Sequence, residues 1–223
     1  MVLRYFNEAY QSKVDQHLKE LVHKHSQQID LFLKDRLGDI RTLARSSSYY
    51  LLSDQEYLSY RLKLLREEYG NVFVDLGLVD DQGIQKDYAG PFSLIGADYS
   101  KSERFGPAFS NEHFVSDVFL GLRGEPHFII TVRQNRLDKF WILRASVDFQ
   151  AFTALVEGIR IGRTGFACLI NKKGEFQTLL SQESRFDREP FLEFINNRPA
   201  GENDRVVRHR SPSGQDYLLA MAP

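Results

Sequence analysis

The sequence is short of most features by which a protein's chemistry announces itself. Its single cysteine, Cys168, allows no internal disulfide, and the apolar run from Phe166 to Ile170 marks a buried, unreactive thiol. A lone cysteine fits an oxidising compartment as well as a reducing one. No apolar run approaches the roughly 20 residues a membrane-spanning helix needs. The segment from Met1 to Asn7 has no long apolar core of the signal-peptide kind. Neither sign of charge prevails: 29 Lys and Arg face 30 Asp and Glu, a formal net charge of -1. Nucleic-acid binding needs a clear basic excess to neutralise phosphates, so that class of partner is excluded. Short basic clusters such as Arg205 to Arg210 exist, but that one alternates basic and apolar residues as a half-buried strand does.

Catalytic and metal signatures are missing too. The sequence has no Gly-x-Ser-x-Gly, no phosphate-binding glycine loop and no His-Glu-x-x-His. His23 and His25 stand two apart on a helical stretch and point to different faces, so they cannot chelate one metal. His17, His113, His127 and His209 have no ligand-type neighbours at helical spacing. Asp80 and Asp81 begin like a calcium loop, but the alternate acids do not follow, which leaves them as turn residues. No enzyme activity and no cofactor is indicated.

What is present is a long helix and two runs of strands. From Tyr5 to Tyr50 there is no proline and one glycine, Gly38. Apolar residues recur mostly at three- and four-residue steps: Val14, Leu18 and Leu21, then Ile29, Phe32, Leu37, Ile40 and Leu43. This predicts an amphipathic helix on the order of 60 Å long, at about 1.5 Å per residue. Ser53-Asp54-Gln55-Glu56 reads as the start of a second helix with Ser53 as its cap, and Gly70-Asn71 as its stop. Strands are predicted at Val72–Val79, Ile84–Tyr88, Phe114–Phe119, His127–Val132 and Phe140–Val147. An irregular stretch, Ala89–Ser110, separates the second from the third, and a helix from Asp148 to Gly158 closes the series. A second series follows from Gly165: strands at Phe166–Ile170 and Glu175–Leu180, a helix near Glu189–Asn196, then strands at Arg205–Arg210 and Gln215–Ala222. The predicted class is α+β, with a helix over 1–50, a first module over 51–158 and a second over 159–223.

The two series begin alike. Leu78-Val79-Asp80-Asp81-Gln82-Gly83-Ile84-Gln85 lines up with Leu169-Ile170-Asn171-Lys172-Lys173-Gly174-Glu175-Phe176. In each, an apolar strand ends in Asp or Asn, followed by a polar pair and a glycine able to adopt positive φ, the chemistry of a tight turn. Repetition in the same context indicates duplication.

The stretch from Tyr88 to Asp148 concentrates aromatic residues beside a few polar ones, the composition of a small-molecule pocket. The same aromatics are also what the core of a curved sheet would use. The candidate ligand-binding residues are Tyr88, Tyr99, Arg104, Phe105, Ser116, Asp117, Phe119, Phe128, Arg144 and Asp148. Arg104 and Arg144 can each grip a ligand carboxylate through a bidentate fork, or serve in ordinary ion pairs. Asp148 ends an apolar strand and opens a helix, so it reads either as an N-cap worth about 1 kcal/mol or as an acceptor for a ligand ammonium. Asp117 is similarly divided.

This order of segments resembles the double Cache sensor domains, tandem PAS-like modules outside the membrane in bacterial histidine kinases, chemoreceptors and cyclases. The resemblance rests on the long first helix and the hairpin Leu78–Gln85. It continues through Phe114-Val115-Ser116-Asp117-Val118-Phe119 with Gly124-Glu125-Pro126-His127-Phe128-Ile129-Ile130, then Ala145-Ser146-Val147-Asp148-Phe149, and Gly162-Arg163-Thr164-Gly165-Phe166 at the second module. It implies two PAS-like modules, each an antiparallel sheet flanked by helices, with a small metabolite bound in the first. It also implies closure of the loop Ala89–Ser110 over that ligand, a periplasmic location, a membrane span on each side and one more strand after Ala222. Homodimerisation through the first helix is expected, in a parent receptor that is a sensor histidine kinase. Amino-acid-binding members carry an Arg-x-Trp-aromatic element and an Asp that matches Asp148. Here Ser102-Glu103-Arg104-Phe105 lacks the Arg and Trp if Phe105 is the final aromatic, so a small carboxylate or amine is as compatible as an amino acid. Two other readings stay open. One is a cytoplasmic PAS or GAF sensor with haem or flavin, whose only axial candidate is His127 beside Phe128. The other is a ligand-free structural module.

Overall fold

Five segments pair into one antiparallel sheet in the computed structural model, four of them rich in β-branched and aromatic residues. That structure describes residues 2–136, 139–157, 165–171, 173–178, 206–210, 214 and 216–222. The strands are β1 (Phe73–Asp80), β2 (Gln85–Ala89), β3 (His113–Val115), β4 (His127–Arg136) and β5 (Lys139–Asp148), in the spatial order β2-β1-β5-β4-β3. The chain divides into two compact units, 33–158 and the combination of 1–32 with 159–223. The sheet belongs to the first.

The first helix, α1 (Val2–Ser46), runs for 45 residues and stops sooner than the apolar periodicity predicts. The run Ser46-Ser47-Ser48 breaks it. Ser48 adopts extended backbone (φ -80°, ψ 163°), and its hydroxyl accepts the Leu51 amide proton at 3.2 Å, capping a short α2 (Tyr49–Leu52). Serine competes with helical hydrogen bonding in this way and favours caps over helix interiors. The next helix, α3 (Gln55–Tyr69), is capped by Asp54 rather than by Ser53. The Asp54 carboxylate accepts the Glu56 and Tyr57 amides at 2.9 and 3.0 Å, while Ser53 closes α2. Gly70, at φ +67°, ends α3 where the sequence places its stop.

Strand pairing sorts the side chains onto two faces. Leu76 pairs with Ala145 and Leu78 with Leu143, while Ile130 and Val132 of β4 face the same two β5 residues from the other side. All six are fully buried on the face that α3 and α5 (Phe149–Glu157) cover. Phe128 lies on this face, its ring 5.2 Å from that of Phe152 in an edge-on contact. Burying each of these leucine, isoleucine, valine and phenylalanine side chains contributes about 1.5–3 kcal/mol. Three contacts tie α1 to this layer and to the region before β3. Tyr69 donates to Asp39 at 3.0 Å, Arg36 stacks 3.5 Å over the Tyr69 ring, and Arg45 pairs with Glu112 at 2.6 Å.

Two local devices shape the opposite face. Phe73 pairs with Val147 but Asp75 with Ser146, so β1 carries one extra residue there. This bulge turns Asp75 away from the helices, and the Arg66 guanidinium donates to the Phe73 and Val74 carbonyls. At the other end of β1, Asp80 Oδ1 accepts the Gln82 and Ile84 amides at 3.0 and 2.8 Å, with Gly83 at φ +85° completing the turn. The bend then folds the following loop back along β2. Gln85 and Ala97, Gly96 and Gln85, and Tyr99 and Gly83 exchange backbone hydrogen bonds of 2.8–2.9 Å. The edge of β2 is thereby covered.

In the other unit, β6 (Val206–Arg210) and β7 (Asp216–Ala220) form a hairpin, and Arg208 pairs with Asp15 of α1 at 2.8 Å. The Asn171 turn repeats the Asp80 turn: Asn171 Oδ1 accepts the Lys173 and Glu175 amides, both at 2.9 Å, and Gly174 sits at φ +82°. Where strands are predicted at Phe166–Ile170 and Glu175–Leu180, the described residues form a single bridge, Ile170 to Phe176. Burial pushes the Cys168 thiol up to about 11, the inert behaviour its neighbours imply. The predicted helix near Glu189–Asn196 lies outside the described residues.

Candidate ligand pocket

The face of the sheet turned away from α3 carries a cavity of about 280 Å³. Its floor is the alternate residues of three strands: Val79 of β1, Ile142 and Arg144 of β5, and His127, Ile129 and Thr131 of β4. Its walls come from loops. Leu94, Asp98, Tyr99, Ser102 and Arg104 approach from one side with Phe105 and Ala108 of α4 (Phe105–Ser110), and Phe119, Gly121 and Leu122 from the other. At one end the space closes. Val79, Ala108 and Ile142 form a core that Phe105, Phe109, Phe114 and Phe140 pack against, so part of the aromatic richness is ordinary packing.

Beneath the floor lies a polar cluster. Arg144, opposite Gly77 in register, holds Nη1 3.5 Å from Asp75 Oδ1, and both side chains are buried. Tyr88 donates to Asp75 Oδ2 at 3.3 Å and accepts the Phe92 amide at 3.2 Å, which fixes the start of the loop. Gly77 has no side chain, and Gln85 fills the space: a Cβ on Gly77 would stand 2.7 Å from Gln85 Oε1. That oxygen receives the Tyr99 hydroxyl at 3.1 Å, and the Arg144 guanidinium lies 5.2 Å from the Tyr99 ring centre. Glycine in β1 thus sets Gln85, Gln85 sets Tyr99, and Tyr99 walls the cavity.

Two guanidinium groups therefore line the cavity, Arg144 from the floor and Arg104 from the wall. Arg104 stacks 3.6 Å over the Phe119 ring and has no acidic partner among the described residues. Arg144 Nη1 is buried and is held by its ion pair with Asp75. His127 donates from Nδ1 to the Glu125 carbonyl at 2.8 Å, and its ring lies 4.3 Å from Phe119. Gly121, at φ +58°, fits under these rings because a Cβ there would come within 2.8 Å of Phe119 and 2.9 Å of His127.

Of the residues the sequence singles out, Tyr99, Arg104, Phe105, Phe119 and Arg144 line this cavity. Tyr88 supports it from beneath through Asp75. Ser116 is spent on the backbone, donating to the Asp117 carbonyl at 2.7 Å and accepting the Ile129 amide at 3.0 Å. Asp117 is exposed and off the wall. Phe128 belongs to the helix-covered face. Asp148 shares a register position with His127, yet its Oδ1 accepts the Ala151 amide at 2.8 Å and caps α5. The sequence reading omitted Ile129, Thr131 and Ile142, which lie on strands buried on both faces, and Leu94, Ser102, Ala108, Gly121 and Leu122 from the loops and α4, which carry no periodic signal. No cluster of His, Cys, Asp and Glu able to hold a metal occurs among the described residues.

No protein-family model matches the sequence, and no curated protein matches it either. Solved structures do. The ligand-binding domain of the Campylobacter jejuni chemoreceptor Tlp3, in complex with L-valine, superposes with a TM-score of 0.72 at 14% identity, covering 95% of this chain and 88% of that one. The ligand-binding domain of Pseudomonas fluorescens chemoreceptor CtaA, in complex with L-serine, gives 0.68 at 14% identity over 93% and 89%. That of the Pseudomonas aeruginosa PAO1 amino acid chemoreceptor PctC, in complex with GABA, gives 0.59 at 14% identity over 77% and 78%. Likeness at this identity is a likeness of fold: the chain has the α+β fold of these chemoreceptor sensory domains.

Proposed function

We propose that this chain is the extracytoplasmic ligand-sensing portion of a bacterial transmembrane receptor, a sensor histidine kinase in its parent form, and that it binds a small metabolite without transforming it. The observation that carries this reading is the cavity between sheet and loops, whose apolar walls and few convergent polar groups are those of a small-molecule site. The fold shared with chemoreceptor ligand-binding domains supports a sensory role and a periplasmic location. No described helix is long and apolar enough to cross a membrane.

The route by which binding becomes signal follows from the connections of the cavity. Arg104 and Phe105 belong to the loop and α4, while Arg144 belongs to β5, which runs directly into α5 through the Asp148 cap. A ligand gripped from both sides draws the 101–110 stretch toward β5, whereas the 94–99 stretch is already pinned to β2. The resulting shift of β5 and α5 passes toward residues beyond 158. Near-complete switching requires about 10⁴-fold preference for one state. Homodimerisation through α1 belongs to the same proposal, and the exposed Tyr5, Phe6, Tyr10 and Leu31 on that helix support it.

A thermal-shift screen of the 223-residue chain against small carboxylates, amines and amino acids tests the reading. Ligand at 100-fold over its dissociation constant adds about 2.7 kcal/mol, so a saturable rise in melting temperature is expected. A flat response across the library contradicts it.

A further inference from the structure

The groups that face the cavity go further than a small molecule in general. Resting on the reading above, we infer that the ligand is a small organic anion, a monocarboxylate on a compact branched or aromatic body, and that the site is built without an acceptor for an ammonium group.

Charge on the wall is the first reason. Arg104 and Arg144 both line the cavity, and Arg104 has no acidic partner among the described residues, so its charge is left for a ligand to balance. A guanidinium without a carboxylate partner gains charge-assisted hydrogen bonds when a ligand carboxylate enters. Acids are placed where they cannot receive an ammonium. Asp75 lies off the cavity wall, engaged by Arg144 and Tyr88. Asp148 holds the Ala151 amide, and Asp117 is exposed away from the wall. Asp98 is the one acid on the lining, and it sits exposed, with Oδ1 accepting the Ser100 amide at 2.8 Å, where water screens it.

Aromatic faces are the second reason. Rings can receive an ammonium in place of a carboxylate. Here the face of Phe119 is occupied by Arg104 at 3.6 Å, and Tyr99 has the Arg144 guanidinium beside it. The protein's own cations hold the positions a ligand cation would need. The body of the ligand then meets Val79, Leu94, Ala108, Ile129 and Ile142, all apolar, in about 280 Å³. That is room for a short branched chain or a single ring.

Calorimetric titration of the 223-residue chain with three matched compounds tests this inference. They are 4-methylpentanoate, L-leucine, which adds an α-ammonium, and isoamylamine, which has only the ammonium. The carboxylate is expected to bind at least about tenfold more tightly than L-leucine, and the amine not at all, since an ammonium taken out of water without an acceptor carries an unrecovered desolvation cost. Arg104→Met is expected to weaken the carboxylate about tenfold or more with an unchanged melting temperature, and Arg104→Lys to recover part of the loss. Tighter binding of L-leucine or isoamylamine overturns the anion assignment while leaving the cavity as a ligand site. Silence from all three overturns the assignment too, and the broad thermal-shift screen then decides the larger reading.

Discussion

The Oδ1 of Asp148 receives the amide proton of Ala151 at 2.8 Å, so the carboxylate that closes β5 also opens α5. Its strand partner His127 lines the cavity, but Asp148 does not. Asp148→Ala is therefore expected to lower stability by about 1 kcal/mol, the usual loss for a helix cap, and to leave ligand affinity within twofold. Urea unfolding and a binding titration on the same variant check both halves. Lost binding with full stability would restore Asp148 to the site.

The pair beneath the floor behaves differently. Asp75 is fully buried, and its charge is offset by Arg144 and by the Tyr88 hydroxyl. Arg144→Met leaves that carboxylate without its cation, so a loss of about 3–5 kcal/mol is expected. Adding Asp75→Asn removes the stranded charge and keeps an acceptor for Tyr88, so the double variant should be more stable than Arg144→Met alone. Denaturant midpoints of the three proteins form the test.

Two carboxylates predict opposite dependences on pH. Burial pushes the Asp80 carboxyl up, but the Lys86 ammonium at 2.9 Å and the Ile84 and Gln82 amides outweigh it, and its pKa falls below the ordinary value. A depressed folded-state pKa gives stability that is present above about pH 4 and lost as pH falls through the folded value. The advantage of the native chain over Asp80→Asn should shrink on acidification below about pH 4. Asp39 has the reverse sign. Burial raises its pKa, and neither the Tyr69 hydrogen bond nor the Arg36 charge cancels the effect. The folded state then keeps its proton longer, so stability relative to Asp39→Asn should decline as pH rises above about 4. Denaturant unfolding of both pairs between pH 3 and 7 checks the two signs.

The order of elements was legible because local chemistry and tertiary context agree there. Asp80 and Asn171 make the same turn for the same reason, and Gly70 stops α3 where it should. The cavity was harder to read because β4 is buried on both faces. His127-Phe128-Ile129-Ile130-Thr131-Val132 gives no alternation to say that 127, 129 and 131 line the cavity while Phe128 meets Phe152. The bulge at Asp75 leaves no mark in composition, yet it decides which face that carboxylate joins. Ser53 and Asp54 are both capping residues, and only the backbone of α2, which claims Ser53, chooses between them.

The central claim is that a small solute occupies one face of this sheet, and methyl-resolved NMR titration tests it most directly. With the compound giving the largest thermal shift, the methyls of Val79, Ile129 and Ile142 should move saturably, while those of Ile130, Val132 and Leu143 on the helix-covered face stay still. Equal movement on both faces, or shifts confined to residues away from the cavity, would contradict the account.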